Sequence, residues 1–178
     1  MRKFPTLETE RLDLVQIGED RLADLFEIYS DPKVVFFYGI EPHREKAETL
    51  AVIQAAERKF QEGVAIEWGL VLKETRKLIG TVGFNKYKVG MKGDVGFGLN
   101  SGFRKRGFAS DALGAAVRYG FDELKLHRIE AEVDPRNQHA QRLLLSNGFL
   151  KEGLLRENEF LLNERCSTIV FGRLVTDP

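Results

Sequence analysis

The sequence predicts an α/β domain built on one mixed sheet, and three observations carry that prediction. Short alternating apolar segments recur along the 178 residues, with amphipathic segments of helical period set among them. Their order reads β-α-α-β-β-β-α-β-α-β-β, strands and helices interleaved rather than segregated. The helical segment at residues 107–124 lies between two strand-like ones, as a crossover between parallel strands in a mostly antiparallel sheet requires.

Each element has a local reason. Residues 11–17 alternate and read as the first strand. Residues 18–29 read as a helix with Leu22, Leu25, Phe26 and Tyr29 on one face, stopped by Asp31 and Pro32. A second helix is expected over 44–61, with Leu50, Ile53 and Phe60 buried and Gly63 past its end. Strands follow at 66–72, 77–87 and 93–99, separated by turn-like residues 73–76 and 89–93. The helix at 107–124 places Leu113, Ala116, Val117, Gly120, Phe121 and Leu124 on one side. Residues 127–133 alternate again, with Ile129, Ala131 and Val133 together, and Asp134-Pro135 ends that strand. A short helix over 138–147 turns Leu143 and Leu144 inward and closes at Gly148 as a left-handed cap. Strands at 151–161 and 167–175 form a hairpin through Asn163 and Glu164.

Composition bounds the function. A chain with 43% hydrophobic residues supports one domain over 1–178, burying roughly 70% of its unfolded surface. Lysine plus arginine and aspartate plus glutamate number 27 each, so no global field draws in nucleic acid. The single cysteine, Cys166, excludes an intrachain disulfide framework and a cysteine-cluster metal site, and His43, His127 and His139 are scattered. No metal is expected. The first residues lack the apolar run of a signal peptide, and no stretch approaches the ~20 apolar residues of a membrane span. The expectation is a cytoplasmic protein.

The chemistry concentrates at residues 94–111. A strand ends, a basic loop with Arg104, Lys105 and Arg106 follows, and a helix opens at Gly107. The first turn of a helix has backbone N–H groups without intrahelical partners and carries the positive end of the macrodipole. Gly107 allows close approach of an anion, so the site suits a pyrophosphate. Neither the P-loop spacing nor G-x-G-x-x-G is present. The loop reads R-x-x-G-x-A from Arg104 to Ala109, which resembles motif A, [QR]-x-x-G-x-[GA], of the GCN5-related N-acetyltransferases (GNAT). Residues 126–137 and 140–149 resemble motif B of the same superfamily, in its branch of ribosomal-protein N-terminal acetyltransferases, the RimJ/RimL-like enzymes. Residues 7–12, 79–84 and 94–97 resemble that branch as well, so the likeness spans nearly the whole chain.

The resemblance implies the GNAT fold, with two parallel strands splayed apart around bound acetyl-CoA and helices on both faces. It implies direct transfer of an acetyl group to a primary amine. The backbone of Phe97, Gly98 and Leu99 is then expected to pair with pantetheine, with one N–H facing the thioester oxygen. Arg104, Lys105, Arg106, Gly107, Phe108 and Ala109 are expected to hold the pyrophosphate, with the Phe108 side chain in the core. Asn137 is expected to contact coenzyme A, to cap the helix that follows, or both. Arg142 is a candidate for the nucleotide phosphates or a solvated helix-face charge. Gly96 and Gly98 either clear space for the cofactor or mark a bulge.

Acyl transfer to an amine needs a base and a proton donor to the thiolate. Glu67 and Asp94 are the candidate bases, each otherwise a solvated carboxylate. The serine that usually follows the motif B asparagine by three positions is Ala140 here, and Ser146 is read as a helix-end residue, so the acid is left open. The acceptor is expected against the early helices, the loop between them and the last hairpin. Residues 34–38 concentrate aromatics there and Trp68 adds another, to wall a cleft or to pack the core; Glu41, Glu157, Glu159 and Glu164 favour a cation if they converge and are otherwise surface charges. A peptide N-terminus, such as that of a ribosomal protein, fits; so does a polyamine or an aminoglycoside. Two rival classes are a non-catalytic acyl-CoA sensor and a nucleotide- or RNA-binding protein using the basic loop, the latter opposed by the balanced charge; a homodimer is expected from the family alone.

Overall fold

The structure, a computed structural model, describes residues 2–178. It contains β1 (Leu7–Glu8), β2 (Leu12–Val15), α1 (Leu22–Tyr29), α2 (Pro32–Val35), α3 (Lys46–Glu62), β3 (Ile66–Leu72), β4 (Leu78–Lys88) and β5 (Lys92–Leu99). Then come α4 (Phe108–Asp122), β6 (Arg128–Val133), α5 (Gln138–Ser146), β7 (Leu150–Leu161) and β8 (Glu164–Leu174). The strands form one sheet in the order β1-β2-β3-β4-β5-β6-β8-β7. Every neighbouring pair is antiparallel except β5 and β6, which α4 connects as the crossover.

Alternation along the strands divides the sheet into two faces. On one, Trp68, Leu70, Val82, Phe84, Ile129 and Phe171 pack against Ala112, Leu113, Ala116 and Val117 of α4. On the other, Val71 and Leu78 meet Leu25, Ile28, Val34, Val35 and Ile53 from the early helices.

Local chemistry moved several boundaries. The segment 18–29 splits into a 3-10 turn, Glu19–Arg21, and α1. Pro32 does more than stop α1. It occupies the first turn of α2, and Asp31 caps that helix by accepting from Lys33 N at 2.9 Å. In α3, a reciprocal Glu45–Glu48 capping box sets the start and Gly63, at φ +75°, sets the end. Leu50, expected inside, is half-buried; Thr49 is fully buried instead, its hydroxyl 2.8 Å from His43 Nδ1. The last hairpin turns at Leu162 and Asn163, both at positive φ, rather than through Asn163 and Glu164.

The β5–β6 ladder is short. Lys92, Gly93 and Asp94 pair with Arg128, Ile129 and Glu130, and pairing then ceases while both strands run on. β5 stays in register with β4 to Leu99, and β6 stays with β8 to Val133. Between them opens a wedge.

Candidate active site

The wedge leads into a cleft of about 870 Å³. Val95, Gly96 and Phe97 of β5 line one side, and Ala131, Glu132 and Val133 of β6 line the other. Glu67, Thr81, Asn85 and Asp94 lie along its strands; Phe36, Phe37, Tyr38 and Ile40 wall it beyond α2; and the tip of the β7–β8 hairpin covers it with Glu159, Leu161 and Glu164. Leu161 packs on Gly39, where an added Cβ would lie 2.5 Å from its Cδ2, so the aromatic wall and the hairpin tip touch.

Gly96 and Gly98 stand in regular register opposite Gly83 and Thr81, and the ladder irregularity falls at Asn85 of β4 instead. The two glycines are therefore not the bulge. Their bare positions are filled by neighbours: an added Cβ on Gly96 would lie 2.9 Å from Asn85 Nδ2, and one on Gly98 would fall within the Tyr38 hydroxyl. Residues 97–99 bond to β4 on one edge, and β6 has turned away from the other.

The loop after β5 is anchored to the early helices. The Asn100 side chain accepts from Gly102 N at 3.0 Å and donates to Glu27 at 2.9 Å. Ser101 Oγ donates to Asp31 at 2.7 Å, and Arg104 Nη2 donates to the Lys33 carbonyl at 3.2 Å. Lys105 and Gly107 take positive φ, +61° and +82°, and Gly107 precedes the first turn of α4. Among the described residues, the backbone N–H groups of residues 105–109 have no hydrogen-bond partner in the chain. Arg106 lies over the Phe103 and Phe108 rings, at 5.8 and 5.0 Å. The Phe108 side chain is core, as expected, so that residue offers a ligand only its backbone.

Glu67 on β3 and Asp94 on β5 line the cleft, and neither has an ion pair among the described residues. Burial pushes the Glu67 carboxyl above its ordinary range, while the Thr81 hydroxyl and Lys59 oppose the shift. Burial raises Asp94 too, against the Asn85 amide, which donates to it at 3.4 Å, and Lys86. Glu132 and Glu130 across the wedge raise it further. Of the other cleft carboxylates, Asp134 pairs with Arg136 at 2.6 Å, Glu132 accepts from Thr168 at 2.8 Å and Asn158 at 3.1 Å, and Glu159 and Glu164 are exposed at the hairpin tip. Tyr38 is the group the sequence singled out only as an aromatic. Burial first, then the Glu67 charge, raise its phenol well above the ordinary value.

A family model of the acetyltransferase (GNAT) domain matches residues 11–150. The chain belongs to the GNAT acetyltransferases. The uncharacterized N-acetyltransferase YoaA of Bacillus subtilis is 37% identical over 155 residues, covering 86% of this chain and 88% of that one. The ribosomal-protein-serine acetyltransferase of Escherichia coli is 23% identical over 171 residues, 94% of each. Among solved structures, a GNAT-family acetyltransferase from Bacillus anthracis superposes at TM-score 0.85 with 24% identity, over 96% of this chain and 98% of that one. RimL, a ribosomal L7/L12 α-N-protein acetyltransferase solved with coenzyme A, superposes at 0.84 with 17% identity, over 96% and 98%. The fold is the GNAT fold, and the protein is an N-acetyltransferase.

Against that identity the remaining residues have definite places. Asn137 caps α5, accepting from Ala140 N at 3.1 Å, and also lines the cleft; so does Ala140. Arg142 is exposed and donates to the Gln138 carbonyl of its own helix at 3.2 Å, outside the cleft lining. Trp68 is not part of the cleft: it is fully buried and donates to the Pro5 carbonyl at 2.8 Å. Of the four acidic residues expected to converge, Glu159 and Glu164 line the cleft and Glu41 and Glu157 do not. Sequence reasoning missed Thr81 and Asn85, which strand register brings to Gly98 and Gly96, and the seat of the Tyr38 hydroxyl at Gly98, which tertiary packing of the 3-10 turn Phe36–Tyr38 sets.

Proposed function

We propose that this chain, one N-acetyltransferase domain over 1–178, transfers the acetyl group of acetyl-CoA directly to a peptide N-terminal α-amine. The observation that carries the reading is the wedge between β5 and β6. It joins a loop of free backbone N–H groups at residues 105–109 to a cleft with Glu67 and Asp94 along its strands. In this reading Arg104, Lys105, Arg106 and the backbone of Gly107, Phe108 and Ala109 hold the pyrophosphate. The free edge of Phe97, Gly98 and Leu99 pairs with pantetheine, and Asn137 meets it from the β6 side. Arg142 stays outside and acts as a solvated charge.

The amine nitrogen attacks the thioester carbonyl, the carbon–sulfur bond breaks, and the thiolate departs. Glu67, with its raised affinity for protons, takes the amine proton through water; Asp94 is the alternative base. Tyr38, held protonated by burial and seated at Gly98, returns a proton to the thiolate where Ala140 offers no hydroxyl. An α-amine, with a pKa of about 7.7–8.0 against about 10.4 for lysine, asks least of such a base. The likeness to the E. coli ribosomal-protein enzyme supports a protein N-terminus as acceptor. Glu159 and Glu164 at the hairpin tip support a second reading, a polyamine or aminoglycoside acceptor.

No described helix is long and apolar enough to cross a membrane, which is consistent with the cytoplasmic place proposed here. The outer edge of β7 exposes Leu150, Leu154, Leu155 and Phe160, which supports a homodimer. Acetyl-CoA-dependent thiol release across peptides with free N-termini, polyamines and aminoglycosides tests the acceptor. Turnover with peptides alone supports the reading; turnover only with small amines selects the second; calorimetric binding without turnover makes the chain a sensor.

A further inference from the structure

Arg11 lies just before β2, far in sequence from the loop at 104–109, and no motif read from the sequence gives it a role. Its guanidinium nevertheless uses all three nitrogens on that loop and the first turn of α4. Nη1 donates to the Arg106 carbonyl at 2.8 Å, and Nη2 and Nε donate to Asp111 Oδ2 at 2.7 and 3.0 Å. Its plane lies over the Phe108 ring at 4.5 Å, and Nη2 would stand 2.9 Å from a Cβ on Gly107.

Two consequences follow from elementary geometry and charge. In a trans peptide the carbonyl and the next N–H point to opposite sides. Holding the Arg106 carbonyl toward Arg11 therefore aims the Gly107 N–H the other way, and that N–H is one of the unpartnered donors of the loop. Asp111 sits in the first turn of α4, where its charge would oppose a bound pyrophosphate; the ion pair with Arg11 offsets it. We infer that Arg11 is a positioning residue for the coenzyme: it sets the Arg106–Gly107 peptide for the pyrophosphate and neutralises Asp111, without touching the ligand itself. The inference rests on the pyrophosphate reading of residues 104–109 proposed above.

The test compares two ligands and two donors. Calorimetric binding of coenzyme A and melting temperature are measured for Arg11→Ala, Arg11→Lys, the double variant Arg11→Ala/Asp111→Asn, and Gly107→Ala. Turnover is measured with acetyl-CoA and with S-acetylpantetheine, which lacks the pyrophosphate. Arg11→Ala is expected to weaken coenzyme A binding roughly tenfold or more, as loss of hydrogen bonds from a charged group does. Arg11→Lys keeps the charge but cannot bond both partners, so it loses affinity while melting close to the parent. The double variant binds more tightly than Arg11→Ala, because the bare carboxylate is gone. kcat/KM with S-acetylpantetheine stays at the parent value in the Arg11 variants. Equal loss with both donors makes Arg11 a residue of the fold alone and overturns the inference. Weakened coenzyme A binding in Gly107→Ala with none in Arg11→Ala also overturns it, leaving the loop reading intact. Unchanged binding in both removes the loop reading and the inference with it.

Discussion

The hydroxyl of Tyr38 occupies the space that a side chain on Gly98 would need. An added Cβ there would fall within the oxygen and would stand 2.5 Å from the ring carbon that bears it. The aromatic wall of the cleft and the splayed strand β5 are thereby fitted to each other, and glycine at position 98 is a packing requirement, not a backbone one.

Gly98→Ala is expected to displace the segment around Tyr38 and destabilise the fold by about 1–3 kcal/mol, the usual cost of overpacking. Tyr38→Phe in the same chain should restore only part of that stability, because the ring carbon remains too close. Tyr38→Ala should restore more. Urea unfolding of the single and double variants measures the coupling, and additive effects would sink the idea of a direct fit.

The burial of Glu67 bears on stability as a function of pH. Its carboxyl is raised by burial, so the native state binds its proton more tightly than the unfolded chain does. Stability is then lost as pH rises from the ordinary carboxylate range to the raised native value, and stays lost above it. Glu67→Gln should therefore melt higher than the parent near neutral pH, with the difference shrinking toward zero in acid. Melting curves from acid to neutral pH check the sign; a gain largest in acid contradicts it.

How much of this was legible in the sequence differs by feature. β3 was readable to the residue at 66–72, because its apolar run is bounded by turn residues at both ends. Gly63 and Gly148 announced left-handed caps and take φ +75° and +78°. The loop at 104–109 was readable as a loop opening a helix because its glycine and the start of α4 are local signals. What escaped depends on register or on partners remote in sequence. β1, two residues long, exists only by pairing with β2. Asp31-Pro32 carries a stop and a start signal at once, and only the start of α2 was missed. Trp68 alternates to the α4 face rather than the cleft, which needed the strand register to see. The same holds for Thr81 beside Gly98 and for the reach of Arg11 to Asp111.

The two candidate bases should separate in the pH dependence of turnover. Each carboxyl is raised, so each would give a rate that climbs with pH through its own titration before levelling. If Glu67 is the base, Glu67→Gln should lose roughly 10²-fold or more in kcat and lose the acid limb, while Asp94→Asn keeps the limb. The reverse pattern assigns Asp94. Profiles of kcat with a saturating peptide acceptor decide between them, and an intact limb in both variants removes both.

The hairpin that covers the cleft is tied to β6 by a bridge across a bare position. Arg128 of β6 donates to Glu130 at 2.7 Å on its own strand and to both oxygens of Glu152 on β7. β8 lies between β6 and β7, and its Gly172 leaves the path open: an added Cβ would stand 2.5 Å from Glu152 Oε1 and 2.6 Å from Arg128 Nη2. Hydrogen bonds from Arg128 hold Glu152 below its ordinary range; Glu130, despite opposing burial, is held low by Lys92 and Arg128. Their contribution is thus present above the unfolded carboxylate range and is lost as pH falls through the lowered native values. Because both carboxylates are partly exposed, the bridge is worth about 1 kcal/mol, not the several that a buried pair would carry. Gly172→Ala should part the bridge and cost about that much near neutral pH, and less in acid where the carboxylates are already protonated. Urea unfolding at the two pH values measures both terms, and an equal loss at each would show that Gly172 is needed for packing and not for the bridge.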